Sequence, residues 1–345
     1  MGDFRILIIK CGASGDVVRT TFILPGLKEK YKDCEITWVT SKFNLDLIKN
    51  IDLIDEKIAF NRDTKYKLTN EYDMVVSLDD EKAMCELASS VKSKKITGAY
   101  LDPDGERKYT DDSEQWFGMG LLRPDEKGGK EKADQLKAEN KKSYQKHIAE
   151  ILDIGLNKPL VKYSDSEREF AKSFSEKNGI NEDNLIIGLN TGAGGRWKYK
   201  RISEEKTAEL ADRLISELGA KVILFGGPDE VERNSMIMDL VNEKIIDAGC
   251  ENLLLEFAAL INLCDAVVAS DTLGMHLGIA QDKKVVSFFG PTPAAEIEMY
   301  GNGIKIIPNK DCLVCYLMDC DEKIKCMELI TVDILFDAVK KILER

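Results

Sequence analysis

The sequence predicts an α/β chain of two doubly wound domains, each a mostly parallel sheet with helices on both faces. Three observations carry this expectation. Short β-rich apolar runs alternate with amphipathic stretches along most of the chain. That rhythm lapses over 101–145, lapses again near 155–183, and then restarts. At 345 residues the chain exceeds what one core usually organises and suits two.

Taken in order, the first-half strands are FRILIIK (4–10), EITWVT (35–40), EKIAF (56–60), DMVVSLD (73–79) and KKITGAY (94–100). VVRTTFILPGLKEKY reads as one helix between the first two strands, and 84–91 reads as another. Residues 101–145 are polar, Gly-rich and aperiodic, so they read as long loops. Within them Trp116-Phe117 is an apolar anchor, more suited to a core than to an acceptor pocket. KSYQKHIAEILDI (142–154) reads as a helix on which His147, among polar neighbours, is expected at the surface.

After the linker near 155–183 come LIIGLNTG (185–192), KVILFGG (221–227), KIIDAG (244–249), AVVASD (266–271), KVVSFFG (284–290) and IKIIPN (304–309). Helices are expected at 203–218, 229–241, 252–263, 274–281 and 293–299, and VDILFDAVKKILER forms an amphipathic terminal helix. The expected division is 1–165 for an N-terminal domain, with the loop-rich 101–145 inside it, and 166–330 for a C-terminal domain. The helix at 331–345 is expected to pack back toward the first domain.

Charged residues make up 32% of the chain and the net charge is -12. An acidic chain is poorly suited to phosphate-rich nucleic acid, which needs clustered Lys and Arg. No apolar run approaches the roughly 18 residues that span a bilayer. The N-terminus lacks the charged-then-apolar pattern of a signal peptide, so it reads as a mature cytoplasmic start. Peripheral contact with lipid and self-association stay open. Nine cysteines in such a chain read as reduced thiols rather than a secreted disulfide scaffold.

Ligands of open α/β sheets bind beyond the carboxyl ends of the strands, which points to the cleft between two such domains. Three loops qualify. In KCGASGD, Gly12 and Gly15 permit a tight turn and close approach, Ser14 lies between them, and Asp16 stands at the mouth of the next helix. Asp16 there suits helix capping as well as proton abstraction. The full G-x-G-x-x-G is absent, which weakens a nicotinamide reading. In NTGAGGRWKYKRIS, Thr191, Gly192, Arg196 and Lys200 combine pliable backbone with cations ahead of a helix, a setting for an anion. In SDTLGMHLGIA, Asp271 ends a strand, Thr272 and Gly274 open a helix whose free N–H groups suit a diphosphate, and His276 follows one turn in.

These three stretches, KCGASGDVVRTTFILPGLK, NTGAGGRWKYKRIS and SDTLGMHLGIAQDKKVVSFFGPT, together resemble glycosyltransferase family 9, the ADP-heptose:lipopolysaccharide heptosyltransferase family. They occur in the family's order and span nearly the whole chain. The resemblance implies a GT-B fold and inverting transfer that generally needs no catalytic metal or other cofactor. It implies Asp16 as general base on the acceptor hydroxyl and Lys200 as the cation on the leaving nucleotide. Asp271, Thr272, Gly274 and His276 match the family's Asp-[Ser/Thr]-Gly-x-x-His, with Leu273 where that pattern has Gly. Arg201-Ile202 stand where the family has Trp-Pro after its Lys. The implied partners are a nucleotide-sugar donor, ADP-heptose first, and a lipopolysaccharide-type glycan or a protein as acceptor. Two other classes stay open: a non-catalytic nucleotide- or metal-responsive protein on this fold, and a nucleotide-dependent oxidoreductase.

Cys312, Cys315, Cys320 and Cys326 follow C-x₂-C-x₄-C-x₅-C. Four thiolates so spaced could enclose a structural zinc or iron ion, away from the three loops above. Reduced packed thiols are the other reading. Similar clusters in some members of the resembled family hold iron.

Overall fold

The computed structural model describes residues 4–193 and 198–344. The chain divides into two compact units, Met1–Lys162 with Ala295–Glu298, and Tyr163–Ala294 with Met299–Arg345.

The first unit holds β1 (Arg5–Ile9), β2 (Glu35–Thr40), β3 (Glu56–Ala59), β4 (Met74–Ser77), β5 (Ile96–Leu101) and β6 (Arg107–Tyr109). Their order in the sheet is β3-β2-β1-β4-β5-β6, parallel except for the β5–β6 pair. Beyond Arg5, β1 is apolar because both faces are covered. Ile6 and Ile8 join Trp38, Val76 and Ile148 on one side, whereas Leu7 and Ile9 join Val39, Val75 and Leu87 on the other.

The second unit holds β7 (Ile186–Asn190), β8 (Lys221–Phe225), β9 (Ile246–Asp247), β10 (Ala266–Ser270), β11 (Lys284–Phe288) and β12 (Gly303–Ile306). The order is β12-β11-β10-β7-β8-β9, with every pair parallel. Read from β9, this repeats the order of the first unit. The chain leaves the first strand of each unit toward one edge and later returns to its other side. That reversal, between β1 and β4 and between β7 and β10, opens a crevice at the strands' carboxyl ends.

Several sequence expectations need correction. The stretch after β1 forms two helices, Ser14–Thr20 and Ile23–Lys30. Pro25 has no N–H for the Thr21 carbonyl, so the helix restarts with Pro25 inside its first turn. The supposed loop region contains a helix, Gly129–Glu139, and the supposed linker contains another, Asp165–Lys177. The latter opens on a capping box in which the Ser164 N–H donates to Glu167 Oε2 at 2.7 Å. The helix expected at 293–299 is only a 3₁₀ turn at Ala294–Glu296.

The terminal helix, Val332–Leu343, belongs to the second unit. Its apolar face, with Leu335, Phe336, Val339 and Ile342, completes the core of the second unit against Leu210, Leu214 and Val286. No described helix is long and apolar enough to cross a membrane.

Candidate active site

In the first unit the loop after β1 is held from both sides. Asp79, just beyond β4, accepts hydrogen bonds from the Cys11 and Gly12 N–H groups, the latter at 2.9 Å, and from the Lys10 ammonium. Asn44 takes the opposite polarity. Its Nδ2 donates to the carbonyls of Cys11 (3.1 Å) and Gly12 (2.8 Å), and its Oδ1 accepts from Ser14 Oγ at 2.6 Å. Gly12 is required by space, since a Cβ there would lie 2.9 Å from Asp79 Oδ1 and 3.0 Å from Lys10 Nζ. Gly15 is buried in the first turn of the following helix.

Asp16 projects from that same turn with about a third of its side chain exposed. Its two oxygens face different cations. Arg19 Nη2 lies 2.9 Å from Oδ1 and Lys10 Nζ lies 3.9 Å from Oδ2. Arg19 in turn covers the Tyr144 ring at 4.2 Å. Burial works against the Lys10 ammonium, but the carboxylates of Asp79 and Asp16 outweigh it and hold its pKa above the ordinary lysine value. Burial, with Asp79 adjacent, pushes the Cys11 thiol well up, so it is no thiolate nucleophile at neutral pH.

Trp116 packs edge-on against Tyr144 at 4.9 Å and lies 5.8 Å from the His147 ring. His147 is not at the surface. It is 5% exposed, with Nδ1 3.2 Å from Gln115 Oε1 and Nε2 3.0 Å from Asn140 Oδ1. Burial first, and Lys142 second, bring its pKa down to about 4.

In the second unit Lys200, Asp271 and His276 converge beyond β10. Lys200 Nζ is 3.1 Å from Asp271 Oδ2 and His276 Nε2 is 3.6 Å from Asp271 Oδ1. Burial alone would raise the Asp271 pKa. The His276 contact and the Lys200 charge override it and hold the carboxyl far below the usual carboxylate range. Thr272 stands at the N-cap position of the Leu273–Ala280 helix, and its Oγ1 receives a hydrogen bond from Asn190 Nδ2 at 3.1 Å. A Cβ on Gly274 would lie 2.9 Å from Asn190 Cγ, so the glycine lets the start of this helix approach the end of β7.

The other expected donor residues fall differently. Thr191 turns its hydroxyl inward, 3.0 Å from the Phe225 carbonyl and 2.6 Å from Asn234 Oδ1. Gly192 backs onto Glu230, whose Oε2 would lie 2.9 Å from an added Cβ. Arg196 lies outside the described residues. Sequence reasoning missed Lys10, Asp79, Asn44, Asn190 and Glu230. Glu230 is buried, its Oε2 accepting from the Gly227 N–H at 3.0 Å. Its Oε1 has no hydrogen-bond partner among the described residues, with Arg201 3.9 Å away. A charged Lys10 at the end of an apolar strand was the available signal for a buried partner.

The four clustered cysteines do not form the expected zinc or iron site. Among the described residues no three His, Cys, Asp or Glu side chains are gathered to hold a metal. Cys312 and Cys315 are exposed, and all four thiols are free. Burial, with Cys315 and Cys320 nearby, pushes the Cys326 thiol up. Nor is the segment remote from the loops. The Val314 and Tyr316 N–H groups donate to the carbonyls of Gly290 (2.9 Å) and Pro291 (3.0 Å), and Lys325 Nζ lies 5.7 Å above the Tyr199 ring, next to Lys200.

Comparison with known proteins gives a consistent result. Residues 130–325 match the model of glycosyltransferase family 9 (heptosyltransferase). The chain is 25% identical over 322 residues to lipooligosaccharide heptosyltransferase 2 of Haemophilus influenzae, covering 84% of each chain. It is 34% identical over 144 residues to lipopolysaccharide heptosyltransferase 2 of Salmonella typhimurium, a match spanning 39% of this chain and 38% of that protein. The structure of E. coli ADP-heptose lps heptosyltransferase II superposes with a TM-score of 0.70 at 19% identity, covering 99% of both chains. The fold is therefore the two-unit GT-B class.

Proposed function

Since the chain belongs to glycosyltransferase family 9, we propose that it transfers a heptose-like sugar, with inversion, from a nucleoside-diphosphate donor to an acceptor hydroxyl. ADP-heptose is the donor we put first and a lipopolysaccharide-type glycan the acceptor, with a protein hydroxyl second. The observation that carries this reading is the convergence of Lys200, Asp271 and His276 beside a helix N-terminus, at the point where the second sheet reverses its strand order. The donor named for the E. coli structural relative and the heptosyltransferase names of the sequence relatives support the choice of sugar.

In this account Thr272, Leu273 and Gly274 present free N–H groups to the diphosphate, and Lys200 adds a positive charge. Asp271 holds that Lys in place, while its own ionised state is secured by His276 and Lys200. Glu230, with one buried oxygen not hydrogen-bonded, suits a hydroxyl of the donor. The acceptor oxygen attacks the anomeric carbon as the bond from that carbon to the diphosphate oxygen breaks. The bonding pair leaves with the nucleotide, and Asp16 receives the acceptor's proton. An Asp between two cations is a weak base in the ground state. Proton transfer late in the transition state, when the acceptor oxygen is most acidic, suits such a base.

A donor screen tests this reading. Nucleoside-diphosphate release is measured from a panel of sugar nucleotides with core-truncated lipopolysaccharides as acceptors. The expected result is acceptor-dependent ADP release from ADP-heptose above all others. Release from no sugar nucleotide, with NAD(P)H turnover instead, would overturn it.

A further inference from the structure

The first unit carries an ion pair that the transfer chemistry above leaves without a role. Lys10 and Asp79 are 6% and 5% exposed, and they join the ends of β1 and β4 at the crevice where the strand order reverses. A buried pair of this kind is weak evidence for stability, because desolvation offsets much of the attraction. Its arrangement is more specific than stability needs. Asp79 spends one oxygen on Lys10 and the other on two backbone N–H groups of the loop that leads to Asp16. The same Lys10 ammonium, so anchored, is in ionic contact with Asp16 Oδ2.

We propose that Asp79 and Lys10 are positioning residues for Asp16: Asp79 fixes the loop and aims the Lys10 ammonium, and Lys10 keeps the Asp16 carboxylate ionised and oriented to take the acceptor proton. The inference rests on the reading of Asp16 as the base. Arg19 shares the task from the helix that carries Asp16, but it is tied to Tyr144, which itself bonds Thr20 at 2.8 Å. The groups that act on Asp16 include Arg19 from its own helix, Lys10 from the end of β1 with Asp79 from the end of β4 behind it, and Tyr144 from the Tyr144–Leu152 helix.

The two charges act on Asp16 with opposite sign, which separates tuning from mere scaffolding. Removing the Lys10 charge raises the Asp16 pKa, so the acid limb of the pH–rate profile moves up. Removing the Asp79 charge frees Lys10 for Asp16 and relieves repulsion, so the limb moves down. An opposite charge within about 4–6 Å shifts a carboxylate by roughly one to three units, and partial exposure of Asp16 places the shift near the lower end, about one unit.

The experiment is the pH dependence of kcat/KM for ADP release from ADP-heptose with core-truncated lipopolysaccharide, run on full-length Lys10→Met, Asp79→Asn and Asp16→Asn. The inference expects limbs about one unit above and below wild type for the first two, with ADP affinity unchanged in both. Lys10→Met leaves Asp79 buried without its cation, so the double variant Lys10→Met/Asp79→Asn serves where the single one unfolds. Lys10 being the member of the pair in contact with Asp16, its limb also lies above wild type. Limbs that stay put, or that move the same way in both single variants, overturn the inference while an inactive Asp16→Asn leaves the base assignment standing. An active Asp16→Asn overturns the base assignment itself and the inference with it.

Discussion

Lys200 Nζ lies 3.1 Å from the Asp271 carboxylate and 3.1 Å from the Asp271 carbonyl, so a single ammonium ties down the loop that follows β10. On the proposed reading, a diphosphate arriving at Thr272–Gly274 meets a cation that is already oriented, and little side-chain entropy remains to be lost.

Lys200→Ala therefore weakens nucleotide binding. Charge-assisted hydrogen bonds are worth about 1.5–3 kcal/mol, which corresponds to roughly a 10–100-fold rise in the ADP dissociation constant. Calorimetric titration of ADP measures it. A change of less than about twofold would remove Lys200 from the donor site.

His147 makes stability depend on pH. Its pKa is about 4 in the folded chain and near 6.5 when exposed, so the unfolded state binds more protons between those values. The stability it contributes is complete above about pH 6.5, falls as pH drops through that window, and is lost below about pH 4. The full loss is on the order of 3 kcal/mol at most. Thermal melts from pH 4 to 7 should show a shallower acid slope for His147→Gln than for wild type. Identical slopes would place the titrating group elsewhere.

Gly12→Ala introduces a methyl group 2.9 Å from Asp79 Oδ1 and 3.0 Å from Lys10 Nζ, two groups that are locked to each other. Overpacking of this kind costs about 1–3 kcal/mol. The expected outcome is a lower melting temperature and slower transfer, with ADP binding unaffected. A variant with wild-type melting and rate would show that the loop yields freely.

The cysteines give a chemical check on the second unit. Alkylation of the native protein, mapped by mass spectrometry, should label exposed Cys312 and Cys315 first. Buried Cys34, Cys85 and Cys264 should react only on unfolding. Equal protection of all four cluster thiols, released by a chelator, would contradict the described arrangement.

How much of this was legible in the sequence depends on the range of the interaction concerned. Alternating strands and helices are local, and runs such as ILII and AVVAS announced sheets covered on both faces. The Asp165–Lys177 helix could also have been read, because Ser164 and Glu167 stand at capping-box spacing. The Gly129–Glu139 helix could not be found by periodicity, since it buries only Gly129 and Ala133. Asp16, Lys200 and Asp271 were singled out through motifs. Asp79 was not, because its importance comes from pairing β1 with β4 across 69 positions of sequence. His147 was misread for the same reason: its sequence neighbours are polar, but Trp116, Gln115 and Asn140 close over it. The amphipathic face of the terminal helix states only that a core exists, and the core it completes is that of the second unit.

The most direct test of the account separates the base from the donor site in one variant. Asp16→Asn is assayed for transfer from ADP-heptose to core-truncated lipopolysaccharide, and its ADP affinity is titrated alongside. The account predicts a rate loss of about 10²–10⁴ with ADP binding within about twofold of wild type. Near-wild-type turnover in that variant would contradict it.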